Sequence, residues 1–326
     1  MDLNGRRVLV TGGAGFLGRP VCRLLGEAGA EVATVRRAEC DLTDAMAVSS
    51  LLRRVRPEVV VHLAAEVGGI GANQANPGRF FYANMAMGLN VIEESRCARI
   101  EKFVQVGTVC SYPRETPVPF RERSLWDGYP EETNAPYGVA KKALLVMLQA
   151  YREQYGLPGI YLMPANLYGP GDNFDPSSSH VIPALIDRFE QALEDDAPHI
   201  TCWGTGAASR EFLYVEDCAR AIVLATERYD DPDPVNLGAG REITVRQLAE
   251  LLAELTGFAG ELRWDDRRPD GQPRRCLDTS AAWERFGFRA STELEDGLRA
   301  TIDRYRDHRA QRARLSAEHA APGAAR

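Results

Sequence analysis

Lysines, cysteine pairs and long apolar runs are all scarce in this chain of 326 residues. Only three of the 39 basic residues are lysines, namely Lys102, Lys141 and Lys142. The seven cysteines are widely spaced and form no Cys-x-x-Cys pair, which is typical of a reducing compartment. No apolar run approaches the roughly 20 residues of a membrane helix, and the N-terminus lacks a signal-peptide pattern. The sequence therefore predicts a soluble, cytoplasmic protein with no membrane partner.

Positive charge and metal-ligand motifs are also limited. Acidic residues outnumber basic ones by 46 to 39, which leaves a formal net charge of −7. A protein that binds nucleic acid needs basic patches to meet the phosphates. The five histidines occur in no His-Glu-x-x-His or Cys/His cluster. We therefore expect no nucleic-acid partner and no metal, and any chemistry that requires lysine has only three candidates.

The first 165 residues alternate short β-branched runs with longer helical patterns. This alternation is typical of βαβ units, and it predicts an α/β fold with a Rossmann-type, doubly wound parallel sheet. The last strand of this part is followed by PANLYGP, whose prolines and glycine predict a loop. We expect the strands at residues 7–11, 31–35, 59–63, 103–106 and 159–162.

A glycine-rich turn, TGGAGFLG at residues 11–18, lies between the first predicted strand and the first predicted helix. Glycines have no Cβ atom, so backbone N–H groups and the helix N-terminus can approach a pyrophosphate. The turn therefore predicts a dinucleotide-binding site. Its contacts are expected from Gly12, Gly15, Phe16, Leu17 and Gly18.

The end of the second predicted strand bears on the choice of dinucleotide. An acidic residue there would hold a ribose 2′-hydroxyl, but this chain has Val35, Arg36 and Arg37, and a guanidinium can meet a 2′-phosphate. This favours NADP. NAD remains open, because arginines at a strand end are also compatible with plain solvation. Asp41 is well placed to contact the adenine.

The composition changes after Gly169, where GPGDNFDPSSSH is rich in turn formers and precedes an amphipathic pattern at residues 181–193. This predicts a smaller C-terminal substrate-binding lobe. We expect the dinucleotide-binding domain to comprise residues 1–168 and about 212–240, and the lobe to comprise 169–211 and 241–309. Residues 310–326 contain no convincing apolar stripe and are predicted to form a disordered tail.

Tyr137 and Lys141, in the string YGVAK, are four residues apart and therefore share one face of a helix. A tyrosine that exchanges a proton with a carbonyl needs a pKa below its usual value of about 10, and a neighbouring ammonium favours the phenolate. The same ammonium can hold a nicotinamide ribose. Thr108, just after the fourth strand, adds a hydroxyl that can bind a substrate carbonyl. We predict that these three residues are catalytic.

These motifs, together with HLAA at residues 62–65 and Asn84, resemble the extended short-chain dehydrogenase/reductase superfamily. The resemblance implies a Rossmann domain, a smaller nucleotide-sugar lobe and a homodimer. Four longer strings are similar to the GDP-L-fucose synthase family, and the similarity extends to about residue 304. They are GGIGAN (68–73), PANLYGPGDNFDPSSSHVIPALIDRF (164–189), WGTG…REFLYVED (203–217) and RPDGQPRRCLD (268–278).

The resemblance implies an enzyme that epimerises C3 and C5 of a GDP-4-keto-6-deoxy-hexose and then reduces C4 with NADPH. It assigns the epimerising acid and base to Cys110 and His180. Further cofactor contacts are implied for Leu63, Ala64, Ala65, Thr108, Tyr137, Lys141, Pro164, Asn166, Leu167 and His180. Substrate contacts are implied for Asn166, Arg188, Trp203, Arg210 and Asp270.

Several positions depart from the synthase pattern. Thr108 stands where the synthases have serine, Val109 replaces a second serine, and the glycine turn lacks the arginine of the synthases. These departures leave open an NAD-dependent nucleotide-sugar epimerase or dehydratase that recycles its cofactor and acts on a different sugar. A non-catalytic dinucleotide-binding regulator is a further alternative, but it would be expected to lose the Tyr137/Lys141 pair, which is intact.

Overall fold

The computed structural model describes residues 1–176, 178–268 and 270–320. Its strands are β1 (Arg7–Thr11), β2 (Glu31–Val35), β3 (Val59–His62), β4 (Lys102–Val106), β5 (Gly159–Pro164), β6 (Asn166–Tyr168), β7 (His199–Trp203), β8 (Ser209–Tyr214), β9 (Pro234–Leu237), β10 (Glu242–Thr244) and β11 (Glu261–Asp265). Its α-helices are α1 (Gly18–Glu27), α2 (Ala45–Val55), α3 (Ile70–Ala75), α4 (Pro77–Cys97), α5 (Ala135–Tyr155), α6 (Val181–Glu194), α7 (Val215–Arg228), α8 (Val245–Thr256), α9 (Ser280–Phe286) and α10 (Leu294–Ala320).

The main sheet contains six parallel strands in the order β2-β1-β3-β4-β5-β9. Strands β3, β4 and β5 are buried along their whole length, as expected for a parallel sheet covered by helices on both faces. The chain passes from β1 to β2 on one side and then crosses to β3 on the other. This change of direction opens a crevice at the carboxyl ends of β1 and β3, where open α/β sheets bind their ligands.

Two smaller sheets lie beyond the main one, with the orders β10-β8-β6 and β11-β7. Strand β6 lies inside PANLYGP, for which the sequence predicts a loop, so that prediction was wrong at residues 166–168. Asn166 pairs in register with Phe212 of β8, and the two strands run parallel. The extended conformation is stabilised by this pairing with a distant segment, which the local turn signals do not reveal.

The buried apolar side chains form two separate clusters within the described residues. The larger cluster surrounds the main sheet and includes residues of α1, α4, α5 and α7. The smaller one packs α6, α8 and α10 together, with Ile186, Leu252 and Leu298 near its centre. The apolar face predicted at residues 181–193 is thus the face that α6 buries in the second cluster.

Helix α10 continues through residue 320, so residues 310–320 are helical where the sequence predicts a disordered tail. The helix is tied to α6 by ion pairs of Arg306 and Arg309 with two glutamates. Such polar contacts are invisible to a search for an apolar stripe. Residues 321–326, which complete the predicted tail, lie outside the described part of the chain. None of the helices in the described ranges has the length and hydropathy needed to cross a membrane.

Candidate active site

A cleft of about 830 Å³ opens at the carboxyl ends of the main-sheet strands and extends toward the second apolar cluster. Its walls are the glycine turn, the ends of β2 to β5, the first turns of α5 and α6, and segments around residues 203–212 and 270–275. Every residue predicted above for catalysis, cofactor binding or substrate binding lines this one cleft. The fold therefore brings together residues that are up to 258 positions apart, from Gly12 to Asp270.

The glycine turn lies against the segment that follows β3. Gly12 has a φ of 72°, and a Cβ atom there would lie 2.9 Å from the backbone nitrogen of Ala64. Thr11 joins the same segments, because its Oγ1 lies 2.7 Å from Nδ1 of the buried His62 and accepts a hydrogen bond from the Ala64 N–H at 3.4 Å. This packing explains why Leu63, Ala64 and Ala65 line the cleft beside the turn.

Replacing Gly18 by alanine should weaken NADPH binding and destabilise the fold by about 1–3 kcal/mol. A Cβ at Gly18 would lie 2.1 Å from the carbonyl oxygen of Gly12 and 2.6 Å from Cα of Gly13, so the turn itself must move. The matched control is Gly26→Ala on the same helix, where a Cβ meets nothing within 4 Å. Urea unfolding and NADPH titration measure both effects. Equal results for the two variants would contradict this account of the turn.

The carboxyl end of β2 presents two guanidinium groups to the cleft. The Arg36 side chain is 75% exposed and pairs with Glu39 at 3.4 Å, whereas Arg37 donates to Oε1 of Glu66 at 2.7 Å. Asp41 also lines this end, and hydrogen bonds from Thr43 hold the pKa of the Asp41 carboxyl below its ordinary value. Both guanidinium groups named in the sequence analysis for a 2′-phosphate, those of Arg36 and Arg37, therefore lie at this end of the cleft.

Helix α5 places Tyr137 and Lys141 on the face that looks into the cleft. The helix approaches the 3₁₀ turn Val109–Ser111 so closely that a Cβ on Gly138 would lie 2.3 Å from the carbonyl oxygen of Cys110. Ser111 Oγ donates to the carbonyl of Gly138 at 2.9 Å and holds the two elements together. The glycine in YGVAK is therefore required by this close approach rather than by a turn.

Burial dominates the electrostatics of this pair. Lys141 is 2% exposed, its Nζ donates to the carbonyl of Val106 at 3.2 Å, and burial lowers its pKa to about 8. Burial raises the pKa of Tyr137 well above its ordinary value, the charge of Cys110 adds to this, and a hydrogen bond with Thr108 opposes it. The expectation of a lowered tyrosine pKa was therefore wrong for the protein by itself, because loss of hydration outweighs the neighbouring ammonium.

Replacing Lys141 by methionine should abolish catalysis yet stabilise the protein at pH 7 by about 1–4 kcal/mol, because it removes a buried charge that pairs with no carboxylate of the described residues. Between pH 8 and 10.5 the unfolded chain binds more protons at this lysine than the folded chain does. Wild-type stability at this site therefore recovers with rising pH, and the advantage of Lys141→Met should shrink by about pH 10. Urea unfolding at both pH values measures this. A variant less stable than wild type at pH 7 would contradict the prediction.

Thr108 and Cys110 lie directly after β4. The Thr108 side chain caps the turn that follows by accepting a hydrogen bond from the Cys110 N–H at 3.2 Å. The Cys110 sulfur in turn lies 3.8 Å from Nη1 of Arg275. His180 is the N-cap residue of α6 and is accessible within the cleft. Loss of hydration among the surrounding protein atoms, followed by the charge of Arg275, lowers the pKa of His180.

The opposite end of the cleft carries the predicted substrate residues. Trp203 is flanked by the guanidinium groups of Arg188 and Arg268, whose central carbons lie 5.4 and 4.9 Å from the ring centroid. Arg210 donates to the carbonyl of Asp270 at 3.0 Å, and burial, followed by the charge of Arg275, lowers the pKa of Arg210 to about 10.

The Asp270 carboxylate is already engaged by other groups. It accepts hydrogen bonds from the backbone N–H and the hydroxyl of Thr205 at 2.8 and 2.7 Å. Asp270 therefore holds its loop against the residues after β7 and presents its backbone carbonyl to Arg210. Asn166 is similarly anchored, because its Nδ2 donates to the carbonyl of Glu211 at 3.0 Å.

The structure also brings into the cleft polar residues that the sequence reasoning missed. Asp172 has a buried carboxylate oxygen, Oδ2, that finds no hydrogen-bond partner in the described part of the chain, and burial raises the pKa of Asp172 to about 7. Gln272 and Arg275 come from the loop before α9. All three lie within strings that resemble the synthases, namely GPGDNF and RPDGQPRRCLD, and this was the available signal.

The residues fit a dinucleotide, because the turn leaves a cradle that Cβ atoms would fill and guanidinium groups stand at the end of β2. Together with the Tyr137/Lys141 pair, these features define a Rossmann-type NAD(P)-dependent enzyme of the short-chain dehydrogenase/reductase class. The model of the NAD dependent epimerase/dehydratase family matches residues 8–238, and the chain belongs to this family.

Comparisons with individual proteins agree with this assignment. The chain is 42% identical over 303 residues to a probable GDP-L-fucose synthase 1 of Oryza sativa subsp. japonica, with 92% of each chain covered. It is 38% identical to the GDP-L-fucose synthase of Escherichia coli K12, covering 92% of this chain and 96% of the relative. A GDP-mannoheptose C4 reductase from Campylobacter jejuni, solved with NADP bound, superposes with a TM-score of 0.84 at 27% identity, covering 94% and 99% of the two chains.

Proposed function

We propose that the protein is an NADPH-dependent 3,5-epimerase/4-reductase that acts on a GDP-4-keto-6-deoxy-hexose. The observation that carries the proposal is that two sets of reactive residues line one cleft. Thr108, Tyr137 and Lys141 are suited to reduction, and Cys110 and His180 are suited to epimerisation. The relatives named GDP-L-fucose synthase and the GDP-sugar reductase with bound NADP support both the substrate class and the cofactor.

Epimerisation requires proton transfer at carbons next to the C4 carbonyl. The C3 and C5 protons are acidic because the electron pair that each leaves behind is delocalised onto the C4 oxygen as an enolate. Donors such as the hydroxyls of Thr108 and Tyr137 stabilise that oxygen. Inversion needs one group to remove a proton and another to return one on the opposite face, which are the roles we assign to Cys110 and His180.

Reduction uses the same carbonyl. Bound NADPH supplies the hydride for C4, and a proton must reach the C4 oxygen. Tyr137 is suited to donate it, because its raised pKa keeps the phenol protonated at neutral pH. Lys141 lies on the same helix face and holds a positive charge below about pH 8, which suits it to binding a ribose hydroxyl and to steadying the phenolate that forms.

We assign the cofactor to residues 1–168 and 212–240 and the GDP-sugar to residues 169–211 and 241–309. The two apolar clusters support this division in part, because the larger surrounds the main sheet and the smaller contains α6 and α8. Residues 277–288, which include α9, depart from it, since their buried apolar side chains belong to the larger cluster, and Phe212 belongs to the smaller one. The diphosphate of the sugar nucleotide would meet Arg188 and Arg210, since guanidinium forks suit bidentate binding of phosphates. Trp203 offers an exposed ring face between two arginines.

Two further proposals concern the protein in the cell. We propose a homodimer formed through α4 and α5, which leave Phe81, Tyr82, Leu89 and Val146 exposed. Light scattering should report twice the mass of one chain, and Val146→Glu should shift the mass toward one chain. The free thiols of all seven cysteines support residence in the reducing cytoplasm.

The proposed activity is tested by incubating the purified protein with GDP-4-keto-6-deoxymannose and NADPH. We expect loss of the nicotinamide absorbance and formation of a sugar inverted at C3 and C5 and reduced at C4. An epimerised product without NADPH consumption, with NAD⁺ recovered from the purified protein, would instead identify an epimerase that recycles its cofactor. Absence of both reactions would refute the proposal.

A further inference from the structure

Arg275 is a buried cation that forms no ion pair with an acidic side chain of the described residues. It is 8% exposed, and no Asp or Glu in the described part of the chain lies within ion-pair distance of its guanidinium group. Its neighbour Arg274, by contrast, is exposed and pairs with Glu242. Because a buried charge without a counter-ion in direct contact is costly, a folded protein retains one mainly where it acts on another group.

The position of the Arg275 guanidinium is set by two contacts. Its Nε donates to Oε1 of Gln272 at 3.1 Å, and its Nη1 donates to Sγ of Cys110 at 3.8 Å. Gln272 is itself buried and anchored, because its Nε2 donates to the carbonyls of Pro113 and Arg114. The Nε of Arg275 is thus held by the anchored amide of Gln272, while Nη1 is directed at the sulfur of Cys110.

The groups that face Cys110 come from three other parts of the fold. Tyr137 approaches from α5, Arg210 from β8 and Arg275 from the loop before α9. Two of these three, the arginines, are positively charged at neutral pH. Glu131 and His180 also line the cleft, and both interact with the charge of Arg275. A negative charge on the sulfur is therefore favoured by two neighbouring cations, whereas the charge of Arg275 opposes a positive charge on the imidazole of His180.

We propose that Arg275 is a positioning residue that directs Cys110 and stabilises its thiolate, the form that removes a proton from the substrate. This rests on the proposed function for the role of Cys110. In that step the thiolate takes a proton from carbon and becomes a thiol, and the electron pair of the C–H bond passes to the C4 oxygen. A sulfur charge also raises the pKa of Tyr137, so the phenol stays protonated until reduction.

The test measures how fast iodoacetamide alkylates Cys110 at each pH, with the Cys110 peptide followed by mass spectrometry. Neither sugar nor NADPH is added, so the result does not depend on which substrate the enzyme takes. Removing the charge with Arg275→Gln should move the midpoint of the Cys110 rate upward by about one pH unit or more, and Arg275→Lys should restore most of the difference.

Two controls are built into the chain. Arg274→Gln changes the adjacent, 61% exposed arginine and should leave the Cys110 midpoint unchanged. Cys97, an exposed thiol on α4, serves as a reference in every sample. If Arg275→Gln lacks a cooperative unfolding transition, Arg275→Met provides the neutral variant, because apolar residues of similar length are well tolerated at buried charged sites. An unchanged Cys110 midpoint in a folded neutral variant overturns the proposal.

Discussion

Tyr137→Phe is expected to slow hydride transfer from NADPH by about 10²–10⁴-fold, the range typical of losing a positioned proton donor. The phenol of Tyr137 can donate a proton and is hydrogen-bonded to Thr108. Its loss therefore removes the proton donor and leaves the Thr108 hydroxyl without this partner. The fold should survive, since phenylalanine keeps the ring that α5 buries. Single-turnover oxidation of NADPH in the presence of the 4-keto sugar measures the effect.

Tyr129→Phe is the matched control, because it makes the same change at an exposed ring outside the cleft lining. It should leave the rate unaltered. Solvent-deuterium exchange at C3 and C5 should fall less in Tyr137→Phe than reduction does, because Thr108 still stabilises the enolate oxygen. Full hydride transfer by Tyr137→Phe would show that the proton comes from elsewhere.

Cys110→Ser should reduce solvent-deuterium incorporation at C3 and C5 by about 10²–10⁴-fold, because a serine hydroxyl is too weak an acid to serve as the proton-exchanging group near neutral pH. Serine is close to cysteine in size, and the hydrogen bond from the backbone N–H of residue 110 to Oγ1 of Thr108 is retained. NADPH affinity should therefore stay the same. Mass spectrometry of the sugar after incubation in deuterated buffer gives the exchange rate, and a fluorescence titration gives the affinity.

The matched control is Cys97→Ser, which replaces an exposed thiol on α4 and should leave exchange intact. If Cys110→Ser exchanged deuterium at the wild-type rate, Cys110 would have no part in the proton transfers. Loss at only one carbon would restrict the cysteine to that centre and assign the other to His180.

The parallel sheet was predictable because each strand carries its own signal. Residues 7–11 and 31–35 are short runs rich in β-branched residues, and both form strands with the predicted bounds. Helix α6 begins at residue 181 as expected, because its apolar face recurs at helical spacing. Strand β6 and the end of α10 were not predictable in this way. The first depends on pairing with β8, and the second extends a helix whose preceding turn, at Arg306 and Arg309, forms ion pairs with α6.

The candidate site divides in the same manner. Motifs with fixed local spacing, such as the glycine turn and YGVAK, point to their residues directly, and the structure brings those residues to one cleft. The direction of the Tyr137 pKa was wrong because it depends on burial, which spacing does not report. Arg275 lies in a string that resembles the synthases, but nothing in the local spacing of that string relates the arginine to Cys110. The contact with Cys110 arises only when a loop 165 positions away folds over the cleft.

The scarcity of lysine illustrates both contributions. The sequence by itself determined that only Lys102, Lys141 and Lys142 are available, and that Lys141 shares a helix face with Tyr137. Tertiary structure decided what each one does. All three are buried, but the ammonium groups of Lys102 and Lys142 are held by the carbonyls of Tyr229 and Leu125, whereas Lys141 alone lines the cleft. Helical periodicity is local and can be read along the chain, whereas burial and charge compensation depend on segments that meet only after folding.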